Sequence, residues 1–260
     1  MILLQEVIRK REMLATLVAR NLKIRYQSSA LGFLWTLLNP LFMMLIYWLF
    51  IRLMKFPMDP WSLLTGVLAW QFLTMCCGDA INAVAGHPNL VKKVYFPRII
   101  LPLATVLANL VNYLLSLVVL FALTLLAGKF AWGPALAALP LVILVQLLFC
   151  LGLALIISCS SVYFRDTEHI VAVLLMAWFF MTPVIYSLDY ISAKAPFPWL
   201  LACYKLNPMV GLITLYRRII MNGPSPGWLA AAASVIVPFL ILGAGLRIFT
   251  RYEPDFADEL

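Results

Sequence analysis

Charge is scarce in this chain. Only 12% of its 260 residues are Asp, Glu, Lys or Arg, while 64% are hydrophobic. A soluble domain is about a quarter charged and about half apolar. A water-soluble globule is therefore excluded, and lipid is the solvent for most of the chain. No Gly-rich loop ends in Gly-Lys-Ser/Thr, so the chain has no phosphate cradle of that kind for ATP. The two histidines, His87 and His169, cannot form a His-Glu-x-x-His metal site, and no Gly-x-Ser-x-Gly elbow occurs. Of the five cysteines, Cys76, Cys77, Cys150 and Cys159 fall in apolar runs, and Cys203 has no mate in the loop it occupies. That excludes a disulfide framework and a zinc spacing. Ionisable groups are nearly missing from the apolar runs, which removes the ion path of a proton- or sodium-driven carrier. Asp79, near one end of the second run, is the closest case and reads as a helix-end residue reaching the interface. Charges from Glu6 to Arg25 interrupt the first 26 residues. No cleavable signal peptide is expected there, and the first span serves as the insertion signal.

What the chain has instead is long uncharged runs, over 27–51, 60–78, 99–128, 130–164, 170–188 and 219–246. A helix needs roughly 20 residues to cross a ~30 Å hydrocarbon core. The expected fold is an all-α integral membrane domain over 1–260, with six spans at about 31–53, 61–84, 99–127, 138–162, 169–188 and 226–247. No repeat or low-complexity tract divides it. With the N-terminus inside, twelve of the 19 Lys and Arg fall in cytoplasmic pieces, so both termini are expected in the cytoplasm. The net charge of +8 follows largely from this topology and from anionic headgroups, and does not indicate nucleic acid.

Residues 1–26 have Leu3, Leu4, Val7, Ile8, Leu14, Leu17, Val18 and Leu22 at helical spacing, opposite Arg9, Glu12, Thr16, Arg20 and Lys23. This pattern predicts an amphipathic helix lying in the interface plane. The loop 189–225 is too apolar for a solvated linker. Asn207-Pro208 reads as a helix start, so short helices dipping into the outer leaflet are expected. The acidic tail, Glu253, Asp255, Asp258 and Glu259, reads as a solvated end.

Aromatic residues recur in two runs: Trp35, Phe42 and Tyr47 in the first, Trp178, Phe179 and Phe180 in the fifth. Two readings stand side by side. Aromatics at span ends form an interfacial belt. A ladder of aromatics also stacks against sugar rings with few strong hydrogen bonds, letting a glycan slide.

Three segments carry more information together. They are Leu22-Lys-Ile-Arg-Tyr-Gln-Ser-Ser-Ala-Leu-Gly-Phe-Leu-Trp-Thr-Leu-Leu-Asn-Pro-Leu41, Asn89-Leu-Val-Lys-Lys-Val-Tyr-Phe-Pro-Arg-Ile-Ile-Leu-Pro-Leu103, and Val162-Tyr-Phe-Arg-Asp-Thr-Glu-His-Ile-Val171 running on to Phe179-Phe-Met-Thr-Pro-Val-Ile-Tyr186. In this order the set resembles the membrane subunit of a type-2 ATP-binding-cassette exporter. It is most similar to the branch that exports O-antigen, capsule or teichoic acid.

The resemblance implies a homodimer of permease chains with two ATP-binding-cassette ATPase subunits, in a bacterial inner membrane. ATP and Mg would be bound by the ATPase, with no cofactor and no catalytic residue in this chain. It implies that Pro88, Asn89, Leu90, Val91, Lys92, Lys93, Val94, Tyr95 and Phe96 form a coupling helix, with Arg165 and Asp166 as a second contact. Trp35, Phe42, Tyr47, Trp178, Phe179 and Phe180 would line the substrate channel, since the first and fifth spans do so in that family. The substrate implied is an undecaprenyl-pyrophosphate-linked glycan. Lys23, Arg25 and Arg98 are the pyrophosphate-binding candidates, chosen by depth and charge. The alternatives are a type-2 exporter of drugs or small lipids, or a membrane-embedded polyprenyl-phosphate transferase using Asp166, Glu168 and His169.

Overall fold

The computed structural model describes residues 9–27, 29, 31–54, 58–93, 96–194 and 197–260. Among these, all regular structure is helical. Helix α1 is Arg11–Tyr26, α2 Trp35–Met54, α3 Pro60–Ala85, α4 Pro88–Lys93, α5 Ile100–Leu126 and α6 Leu139–Tyr163. Then follow α7 Thr167–Phe180, α8 Leu188–Lys194, α9 Pro198–Lys205, α10 Pro208–Met221, α11 Gly227–Tyr252 and α12 Phe256–Glu259.

Among the described residues, five helical stretches are long and apolar enough to cross a membrane: Trp35–Leu53, Pro60–Ala85, Ile100–Leu126, Pro134–Tyr163 and Gly227–Glu259. The span expected near 169–188 holds instead the 14-residue apolar helix α7. At 1.5 Å per residue it measures about 21 Å, less than the ~30 Å core. Its end is set by the turns over 181–186 ahead of α8. In the N-terminal segment, Leu3, Leu4, Val7 and Ile8 lie outside the described residues. Leu17 of α1 is buried, and Met13, Leu14 and Val18 pack beside it against residues of α5. Arg9, Glu12, Arg20 and Lys23 are exposed.

Helix α3 is the centre of the bundle. Leu64, Leu68, Phe72 and Leu73 are fully enclosed, and α5, α6 and α10 surround them. Phe72 stacks on Tyr113 of α5 with ring centroids 4.8 Å apart. Lipid tails are as apolar as leucine, so burial of leucine alone does not hold membrane helices together; close packing and interhelical hydrogen bonds do. Gln146 Nε2 of α6 donates to the Ala69 carbonyl of α3 at 2.7 Å. Ser161 Oγ donates to the Ile81 carbonyl at 2.7 Å. Helices α6 and α11 touch backbone to backbone: a Cβ on Gly245 would lie 2.5 Å from the Gly152 carbonyl oxygen. Helix α2 is the exception, with most of its surface uncovered by the rest of the chain.

The apolar loop forms α8, α9 and α10. Asn207 caps α10, its side chain accepting from the Met209 N–H at 3.1 Å. Asn222 closes that helix in the left-handed region at φ 52°, a conformation Asn tolerates better than most residues.

Candidate functional site

Three regions gather the residues singled out above. The first is the end of the bundle rich in Lys and Arg, where 85–100, 163–167 and 247–260 meet. Proline at the start of α4 pre-sets the first turn, and Pro97 separates this segment from α5. Val91 is 3% exposed and Phe96 6%. Both enter a cluster with Val84, Ile100, Cys159, Phe249 and Phe256 of this same chain. They anchor the segment to its own bundle, and Leu90 is partly buried beside them. Asn89 and Lys92 point outward, Pro88 is half-buried, and Arg165 and Asp166 are exposed on the neighbouring turn. Val94 and Tyr95 lie outside the described residues, as does the side chain of Lys93. His87, at the foot of α3, is held below the ordinary histidine pKa by burial and by the nearby Arg20.

In the tail, Asp255, Asp258 and Glu259 are exposed as expected of a solvated end, but Glu253 and Phe256 tie the segment to the bundle. Phe256 is fully buried and packs edge-on against Phe249 at 5.3 Å and Tyr163 at 6.3 Å. The Arg98 backbone N–H donates to Glu253 Oε1 at 2.6 Å, and the Arg98 guanidinium donates to the Glu253 and Pro254 carbonyls. Residues 253–259 therefore form a hook under α4 and beside the end of α6. One apolar residue among acids is a faint signal, and composition hid it.

The second region is a cavity of about 240 Å³ between α1, α2, α3 and α5. Arg25 of α1 forms an ion pair with Asp79 of α3, and Asn109 Nδ2 of α5 donates to the same Asp79 oxygen at 2.9 Å. Trp35, Asn39, Gln71, Asn112 and Ser116 extend the lining. The sequence reading weighed only ionisable groups in the spans, whereas uncharged polar residues also line this cavity. Thr105, Asn109, Asn112 and Ser116, spaced at three or four residues, form one stripe along α5. That periodicity was the available signal.

The pyrophosphate candidates separate. Arg25 lines the cavity, Lys23 is exposed on α1, and Arg98 is engaged by the hook. The six aromatics also separate. Trp35 and Phe42 are exposed on α2 with ring centroids 6.3 Å apart, and Phe180 is exposed on α7. Tyr47 is partly buried. Trp178 and Phe179 turn inward onto Trp70, at 5.9 and 5.6 Å.

The third region is at the opposite end. Trp178, Phe180, Tyr186, Leu201 and Tyr204 line an apolar groove of about 540 Å³. Its floor is tied by Asn207, which accepts from Trp178 Nε1 and donates to the Met181 carbonyl and Thr182 hydroxyl, each at 3.0 Å. Beneath lies Arg217, 4% exposed. Its guanidinium donates to the carbonyls of Ser62, Pro183, Val184 and Tyr186 at 2.7–3.1 Å. It satisfies the backbone exposed where α7 ends. Gly66 leaves the room: a Cβ there would sit 2.6 Å from Arg217 Nη2.

Among the described residues, no three His, Cys, Asp or Glu side chains come together to hold a metal ion. Asp166, Glu168 and His169 form no such group.

The family described as ABC-2 type transporter matches residues 12–221. The O-antigen export system permease protein RfbA of Myxococcus xanthus is 37% identical, over 99% of both chains. The protein of that name from Klebsiella pneumoniae is 28% identical, over 96% of this chain and 95% of its own. With five membrane-length helices and matches of this extent, the chain belongs to the ABC-2 type transporter membrane family.

Proposed function

We propose that this chain is the permease subunit of an ATP-driven exporter that moves lipid-linked O-antigen from the cytoplasm across the inner membrane. The observation that carries this reading is end-to-end similarity, 37% over 99% of both chains, to an O-antigen export permease. The chain itself is a permease, and ATP hydrolysis belongs to a separate ATPase subunit that binds ATP and Mg.

In this reading the end rich in Lys and Arg faces the cytoplasm, with both termini. Asn89 and Lys92, exposed on α4, and Arg165 and Asp166 meet the ATPase, while Val91 and Phe96 transmit its motion by being rooted in the bundle. Helix α7 and the turns after it make the sixth crossing, and α8 to α10 are re-entrant. Support comes from Asn207 and Arg217, which supply partners for the carbonyls around 181–186, as broken backbone in lipid requires. Two copies pair through the uncovered apolar faces of α2 and α7, which carry Trp35, Phe42 and Phe180 toward a shared path. Lys23 and Arg25 hold the pyrophosphate of an undecaprenyl-linked glycan at the inner interface.

The test is a strain deleted for this gene and complemented with it, paired with mass spectrometry of lipids that co-purify with the chain. Surface O-antigen restored by the gene, with a polyprenyl-linked glycan on the purified protein, is the expected result. Restoration of drug efflux without any surface polysaccharide would refute it.

A further inference from the structure

The chain joins α4 to α3 on one side and to α5 on the other, but not to α6 or α11. The hook at 253–259 makes that missing connection. No loop separates it from α11: the helical stretch Gly227–Glu259 is unbroken, with Tyr252, Glu253, Asp255 and Phe256 all in the right-handed helical region. On one side the hook holds the α4 segment. Phe256, fully buried, shares a cluster with Val91 and Phe96. Arg98 binds Glu253 through its backbone N–H at 2.6 Å and through its guanidinium. On the other side the hook holds the end of α6. The Tyr163 ring lies edge-on to Phe256 and Tyr252, at 6.3 and 5.6 Å, and its hydroxyl donates to the Tyr252 carbonyl at 3.4 Å. Phe164, Arg165 and Asp166 follow directly in the chain.

Both segments assigned to the ATPase interface are therefore fastened to one stiff piece of chain. A close-packed contact does not stretch: a gap of about 0.5–1 Å already forfeits about a quarter to a half of the dispersion attraction across it. Hydrogen bonds from a guanidinium are among the strong ones, and the Glu253 and Pro254 carbonyls that Arg98 engages fix direction as well as distance. A push on α4 is thus shared by the hook, which has no flexible joint in which to lose it. The displacement enters α11 at its end. Helix α11 in turn meets α6 backbone to backbone at Gly245 and Gly152, so the two move together. Through the chain itself, the same push reaches only α3 and α5.

We propose that the C-terminal hook is the strut that carries ATPase-driven displacement of α4 into α11 and α6, with Phe256 and Glu253 as positioning residues of the transport cycle. The inference rests on the export reading and deepens it, by assigning the route of the stroke inside the permease. The hook also joins the two ATPase-facing segments, so that they move as one body. Docking stays with Asn89, Lys92, Arg165 and Asp166, on the exposed side. Loss of the hook therefore uncouples ATP hydrolysis from transport.

The test compares permease–ATPase complexes of the wild type, a chain truncated after Tyr252, Phe256→Ala and Phe256→Leu, each checked by monodisperse elution. Amide hydrogen exchange is read with and without a nonhydrolysable ATP analogue, and surface glycan is read in a deletion strain carrying each gene. In the wild type the analogue should change exchange at 246–252 of α11 as well as at 82–87. Truncation and Phe256→Ala should shrink the change at 246–252 and keep that at 82–87, and Phe256→Leu should restore it. Surface glycan per recovered ATPase should fall about fivefold or more on truncation and less in Phe256→Ala, with Phe256→Leu close to wild type, in the order of apolar volume removed. ATP hydrolysis should continue in all four complexes. A change at 246–252 that survives both truncation and Phe256→Ala overturns the strut. So does a glycan yield per ATPase equal in truncated and wild-type chains, or a loss of glycan matched by an equal loss of hydrolysis. A wild-type gene that restores no surface glycan overturns the export reading, and the exchange comparison then decides the strut by itself.

Discussion

Replacing Phe256 by Ala should loosen the segment 88–98 without unfolding the membrane core. The ring is fully buried among Val91, Phe96 and Phe249, so its removal takes away apolar contacts on both sides of the hook. Core Phe→Ala changes cost about 3–5 kcal/mol. The low end applies here, because a short terminal element can undock by itself. A loss of about 3 kcal/mol shifts the docking equilibrium by about a hundredfold. The Arg98–Glu253 contacts remain and limit the shift, whereas truncation after Tyr252 removes both anchors. Amide hydrogen exchange on the purified chain is the assay. Residues 88–93 and 96–101 should exchange up to a hundredfold faster in the Ala variant, and α3 above Cys77 should be unchanged. Phe256→Leu, which keeps most of the volume, should lie between. Unaltered exchange at 88–93 in the truncated chain would refute the claim that the hook supports this segment.

Other outcomes follow from the same contacts. Arg217→Met strands four backbone carbonyls and should cost at least about 3 kcal/mol, read as a drop of roughly 6 °C or more in Tm in detergent. Gly66→Ala should destabilise by about 1–3 kcal/mol in the wild type and less beside Arg217→Met, because the closest clash is with the guanidinium while the tight approach to the Val184 carbonyl at 3.0 Å remains. Gly245→Leu should separate α6 from α11 and abolish a monodisperse elution peak, since even a Cβ there meets the Gly152 carbonyl. Burial and Arg20 lower the pKa of His87 in the folded chain. Above about pH 6.5 the imidazole is neutral in both folded and unfolded chain and contributes nothing. As pH falls below that value the unfolded chain protonates first, so stability is lost. The fall in Tm between pH 7 and pH 5.5 should be smaller in His87→Gln.

Helix existence was legible where runs are long, because the membrane demands about 20 apolar residues and little else. The run 170–188 broke the inference. Hydropathy cannot see that the turns over 181–186 end α7 early, nor that Arg217, 31 or more residues later, supplies the partners for their carbonyls. A count of charges along the chain is blind to the burial of Arg217 for the same reason: its carbonyl partners come from distant turns. Val91 and Phe96, which the resemblance assigned to the coupling helix, bury in a cluster of this same chain, a contact no local sequence pattern announces. Trp178 and Phe179 stand next to Phe180 in sequence, yet helical geometry turns them onto Trp70 while Phe180 faces out. The stripe Thr105, Asn109, Asn112 and Ser116 was readable by period and lost by averaging, since uncharged polar residues barely lower the hydropathy of α5.

The most direct test of the central claim is recovery of the ATPase. Scrambling all of 92–96 would disturb the core through Phe96, so the useful variant changes exposed positions alone, Asn89→Glu with Lys92→Glu. The tagged chain would be extracted in mild detergent from its native host. The account predicts an ATP-binding-cassette ATPase at one per chain with the wild type, and its loss from a variant that still elutes as a folded permease. A chain that purifies alone in both forms, or an ATPase retained undiminished by the double variant, would contradict it.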